Sequence, residues 1–176
     1  MEKSKQISPV LFIIVTALAL SVCTFFHDPL LHGLIAILNG WHIESFSTQM
    51  FTGQTTISIP ATTPYTLSQA WIFFMFPALT LITLAIVFAL YFKNRIMYIF
   101  STILIMLNFA SIDPGIVGTD ANRAMLVLEE FGVSHIKAYM IHMIILAMVI
   151  IVFALYQFII YENNPSDSTK RMKRII

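Results

Sequence analysis

Charge is scarce in this sequence. Asp, Glu, Lys and Arg make up 11% of the 176 residues, whereas soluble domains carry about 25%, and 58% of the residues are hydrophobic. With a mean hydropathy of +0.83, the chain falls outside the soluble globular class. Cysteine is almost missing too. Cys23 stands alone inside an apolar run, which excludes an intrachain disulfide and a CxxC redox or zinc motif. The formal net charge of +1 gives no basis for nucleic-acid binding. Internal repeats and low-complexity segments are absent from the sequence as well.

What the sequence does have is four long uncharged apolar runs: Gln6 to Phe26, Ala70 to Phe92, Ile96 to Ile112 and Ala138 to Tyr161. About 20 such residues in a helix cross the ~30 Å hydrocarbon core of a bilayer. The expected fold is an all-α membrane protein with spans near 7–26, 70–92, 96–112 and 138–161, and the third is the shortest. Lys3 and Lys5 ahead of the first run resemble the start of a signal peptide. The core from Val10 to Phe26 is long for one, so the run reads as a retained anchor.

Lys and Arg near span ends set orientation. They flank the first span (Lys3, Lys5), fill the short link at Lys93 and Arg95, and follow the last span in "KRMKR". Both termini are therefore expected in the cytoplasm of a multi-pass cell-membrane protein, with 27–69 and 113–137 facing outward. Residues 1–162 form one transmembrane domain, and 163–176 a flexible basic tail. The partners implied are the lipid bilayer and other membrane proteins.

The ionisable residues collect on the outward side. His27, His32, His42, His135 and His142 all fall there or at outer span ends, as do Asp28, Asp113, Asp120 and several glutamates. Polar groups at membrane depth are costly and usually have a role. His142 falls about one turn inside the fourth span. In "HDPLLHGLIAILNG", Asp28 and His32 are i and i+4 and share a helix face, whereas His27 at i−5 points away from His32. Two readings stand. Asp28 caps a short amphipathic outward helix 29–38, with Pro29 at its first position and "NG" as its stop; or Asp28 and His32 converge on an ion. The segment "HIESFSTQMFTGQTTISIP" alternates and suits a small β-hairpin turning around "FTGQ". In "DPGIVGTDANRAM", Thr119 or Asp120 caps a helix ending near Gly132, or Asp120 serves as a third ligand.

Together these segments resemble the site-2 protease family of intramembrane metalloproteases. His32 and Gly40 match the second His of HExxH and the Gly that follows it. "HIESFSTQMFTGQT" resembles that family's hairpin, "FPALTLITLA" the next span, and "GTDANRAM" its Asp segment. The resemblance implies a degenerate zinc site of Asp28, His32 and Asp120, with His142 or His27 as supplements. Asp28 replaces the first His and Pro29 the catalytic Glu, so no general base remains and no catalytic residue is assigned. The chain is thus expected to be a scaffold without ordinary peptidase activity, holding one Zn2+ or other divalent metal. The alternatives are an accessory subunit of a larger membrane complex, an active intramembrane metalloprotease with an unorthodox site, and an ion or proton transporter.

Overall fold

The computed structural model describes residues 8–49, 54–58, 60 and 63–162; within them, the side chains of Asp28, of 46–49 and 54–58, and of 161–162 lie outside the description. Four helices are long and apolar enough to cross a membrane: Pro9–Leu38, Leu67–Phe92, Arg95–Ile112 and His135–Ile160. The protein is a multi-pass membrane protein. The tail 163–176 and the turn at 51–53 lie outside the described residues.

The first helix corrects the sequence reading. A separate amphipathic helix at 29–38 was expected to begin at a break near Asp28. Instead α1 (Pro9–Phe25) runs into a π-helical segment, Phe26–His32, and on into α2 (Gly33–Leu38) as one rod of 30 residues. The residues at both junctions, Phe25 and Gly33, keep right-handed helical angles. Pro29 supplies the physical reason. In an α-helix its ring collides with the carbonyl four residues back, and the wider i→i+5 winding of a π-helix relieves that collision without ending the helix.

The rod ends at the "NG" pair. Asn39 closes the helix, Gly40 adopts φ +71, Gly40 N–H donates to Ile37 O and Trp41 N–H to Ala36 O, both at 2.9 Å. This Schellman arrangement needs a left-handed residue at Gly40. It turns Trp41 back onto Phe73 and Ile35 in a small apolar cluster. Next, β1 (Ser45–Gln49) pairs antiparallel with β2 (Gln54–Ser58), Ser45 opposite Ser58.

A capping box between Thr66 and Gln69 starts α3 (Leu67–Phe92), and Lys93 at φ +48 turns it into α4 (Arg95–Ile112), capped by the Asn94 side chain. The α3–α4 seam is built from small and branched residues at helical spacing. Ala78, Ile82, Ala85 and Ala89 on α3 are buried, and Leu104, Ile105 and Ile112 on α4 belong to the same cluster. Lipid removes most hydrophobic drive between helices, so close backbone approach at small residues provides the packing energy. Buried and half-buried polar side chains tie the other helices in. Asn108 donates to Leu104 O at 2.8 Å and reaches Cys23 Sγ of α1 at 3.5 Å, while Gln157 of the last helix donates to Thr102 of α4 at 3.3 Å. The last helix, α6 (His135–Glu162), packs sparingly, with 6% of its apolar window buried.

Between α4 and α6 the chain turns through a fastened loop into α5 (Asp120–Glu130). Asp113 Oδ1 accepts from Gly115 N–H at 2.8 Å, Thr119 Oγ1 donates to Ile116 O at 2.8 Å, and Asn122 Oδ1 accepts from Gly118 N–H at 3.2 Å. Thr119 is the N-cap, its hydroxyl accepting from Asn122 N–H. That settles the choice between Thr119 and Asp120 as cap, and leaves the Asp120 carboxylate free to point elsewhere.

Candidate metal centre

Two structural devices aim three side chains at one point. The first is the π-helical winding. In an α-helix five residues overshoot a full turn by about 140°, which is why His27 was expected to point away from His32. The i→i+5 winding brings residues five apart onto one face. The two imidazoles accordingly meet edge to face, with ring centroids 5.2 Å apart. The second device is the Thr119 cap, which places Asp120 in the first turn of α5, packed against α3.

The resulting cluster is compact. Asp120 Oδ2 lies 3.2 Å from His27 Nε2 and 3.6 Å from His32 Nε2. One ligand atom from each of the three residues falls within 4.8 Å of the others. Both histidines are buried, at 6% and 5% exposure, and the Asp120 side chain retains 15%. His32 packs on Phe73 of α3 at 4.6 Å between centroids, the two ring planes tilted by 57°. Burial alone would push the Asp120 carboxyl up. The two imidazoles that face it, His27 and His32, outweigh burial, so the group ionises well below the usual carboxylate range.

The donor set suits a transition metal. Zinc binds His nitrogen at about 2.0–2.1 Å and carboxylate oxygen at about 2.0–2.2 Å in a tetrahedron, which puts ligand atoms about 3.3–3.5 Å apart. The two measured separations from Asp120 bracket that value. From Pro9 to His27 the rod rises about 27 Å at 1.5 Å per residue, a length comparable to the ~30 Å thickness of a hydrocarbon core.

Of the residues singled out from sequence, His32 and Asp120 meet here and His27 joins them. The backbone of Asp28 follows His27 in the π segment, and its side chain lies outside the described residues. His142 is elsewhere. It is fully buried on α6, its Nδ1 within 2.9 Å of Ala138 O and its ring 6.4 Å from that of Trp71. His135 pairs with Glu129 at 2.7 Å at the surface. The signal that would have found His27 is Pro29 itself, a ring that α-winding cannot hold inside an unbroken apolar run. No family model, no curated protein and no solved structure matches this chain.

Proposed function

We propose that the chain is a multi-pass membrane metalloprotein holding one divalent transition metal, zinc by its donor set, between His27, His32 and Asp120. The observation that carries this reading is the convergence of three ligand atoms within 4.8 Å of one another, two of them on buried histidines, produced by two independent elements of the fold. Three protein ligands leave one position open, the arrangement of catalytic rather than structural zinc, and a metal so held polarises a carbonyl or activates water.

The chain's own residues support a hydrolytic variant of this reading. With His27 as first ligand, "HDPLLH" reads as an acid-bearing His pair one residue longer than HExxH, and the π-helix absorbs the added residue. Asp28 then occupies the position next to the first His, where the similar family carries its general base, rather than a ligand position. The Lys and Arg at the α3–α4 link and in the termini favour a cytoplasmic side opposite the cluster.

Metal content of the full chain purified in mild detergent tests the reading. Wild type is expected to carry about one zinc per chain, Asp28→Ala to keep it, and His27→Ala/His32→Ala and Asp120→Ala to lose it. Wild-type protein without stoichiometric metal after zinc loading would sink the proposal. Zinc lost in Asp28→Ala but kept in His27→Ala would restore Asp28 as the ligand.

A second reading rests on a separate observation. The fourth span is 6% buried in its apolar window: one stripe, with His142, Val149, Phe153 and Tyr156, packs on the bundle, and the rest of its perimeter faces outward. That suits an accessory subunit whose last helix packs on a partner. Disulfide crosslinking from single cysteines along α6 in native membranes tests it; absence of any crosslinked partner at all positions leaves lipid as the neighbour and refutes the subunit role.

A further inference from the structure

A cavity of about 390 Å³ opens beside the His/Asp cluster, between the start of α3 and one face of α5. It is independent of the metal reading. The size is that of a small-molecule or headgroup site. Its lining includes the aromatic rings of Trp41, Tyr65, Phe73 and Phe74, and two opposite charges, Arg123 and Glu130. The aromatic wall is continuous: Trp41 packs on Tyr65 at 6.4 Å and on Phe73 at 5.4 Å between centroids.

The two charges are seven positions apart on α5, hence on one face and about 10 Å apart along the axis. They do not neutralise each other. Glu130 accepts a hydrogen bond from the Tyr65 hydroxyl, and Arg123 has no ion pair among the described residues. A cavity with one cationic and one anionic wall disfavours a net-anionic occupant at Glu130 and a net-cationic one at Arg123. It complements a zwitterion. Glu130 with the faces of Trp41 and Tyr65 suits an ammonium, because cations bind over aromatic rings. Arg123 suits a phosphate, which a guanidinium holds through paired N–H donors.

Depth selects the source of such a zwitterion. Ala70, Phe73 and Phe74 lie in the first turns of α3, at the mouth of a span that continues to Phe92. Trp and Tyr at that level match the interfacial belts of membrane proteins. Leu126 and Val127 extend the lining with aliphatic surface for the glycerol and first methylenes of a chain. We propose that this cavity binds the headgroup of one zwitterionic phospholipid, phosphoethanolamine-type, with its phosphate on Arg123 and its ammonium between Glu130, Trp41 and Tyr65.

The test is native mass spectrometry of the delipidated full chain in detergent, titrated with dioleoyl phosphoethanolamine, dioleoyl phosphoglycerol and free phosphoethanolamine. Wild type is expected to bind one phosphoethanolamine lipid at least tenfold more tightly than the phosphoglycerol lipid or the free headgroup. Arg123→Gln should weaken the zwitterionic lipid about tenfold, and Arg123→Lys should recover part of that loss. Glu130→Gln should remove or invert the preference. Equal binding of the two lipids by wild type overturns the proposal, as does binding of the free headgroup as tight as that of the lipid. Unchanged lipid preference in both charge variants also overturns it. Arg123 and Glu130 are exposed, and a melting temperature equal to wild type shows that each variant is folded.

Discussion

Two one-residue changes of length between His27 and His32 separate helix winding from composition. Deleting Pro29 leaves the histidines four positions apart, and inserting an alanine after Leu31 leaves them six apart. At about 100° per residue, four positions overshoot a full α-turn by about 40°, whereas six fall about 120° short of two turns. Side chains stand about 5–6 Å from a helix axis. The lateral separation of the imidazoles is then roughly 4 Å in the deletion and roughly 10 Å in the insertion by the same geometry. Ligands of one tetrahedral zinc stand about 3.3–3.5 Å apart, so the deletion can still share a metal and the insertion cannot. Both changes rotate α1 by about 100° relative to α2, in opposite senses. General damage is therefore matched, and it is bounded because 17% of the apolar window of this rod is buried. Zinc per chain is measured by plasma mass spectrometry, beside the melting temperature in detergent. The deletion is expected to hold zinc near the wild-type level and the insertion to lose at least tenfold in affinity. Wild-type zinc in the insertion, or zinc lost from both at equal melting temperature, would refute the winding argument.

Gly40→Ala forces a side chain into the left-handed region at φ +71, which costs about 1–2 kcal/mol; thermal unfolding should show it, with loss of the Trp41 packing visible in fluorescence. His142→Leu replaces a fully buried ring whose Nε2 has no hydrogen-bond partner among the described residues, so melting temperature should hold or rise and zinc content stay unchanged. A fall in zinc would instead make His142 a ligand. The Tyr65 hydroxyl is pushed above its ordinary 10.0 by its hydrogen bond to Glu130, then by desolvation and the Glu130 charge. A raised folded-state value means the bond stabilises fully below the unfolded pKa and is lost as pH climbs through the folded one. The stability deficit of Tyr65→Phe should therefore be constant at neutral pH and shrink above pH 10; a deficit that stays unchanged as the pH climbs well above 10 contradicts this assignment.

The sequence determined the class of this protein by itself. Runs of some 20 uncharged apolar residues allow only helices across lipid, since no water is there to satisfy backbone groups. Local chemistry also placed the ends: "NG" closes the first rod through Gly40, Thr119 stands ahead of α5, and Asn94 caps α4. These are short-range effects, confined to a turn or so of chain. The ligand set was legible only in part. His32 and Asp120 stood out as ionisable groups in apolar surroundings, while His27 was kept only as a supplement, on the assumption of α-winding. Whether Pro29 ends a helix or widens it depends on the packing that flanks it. Here α3 runs alongside, with Phe73 on His32, and the tertiary structure held the rod continuous. The meeting of α5 with that rod, across some ninety residues of chain, was decided the same way. Spacing along a sequence gives angles only once the winding is known, and it gives no distance between elements that meet solely by packing.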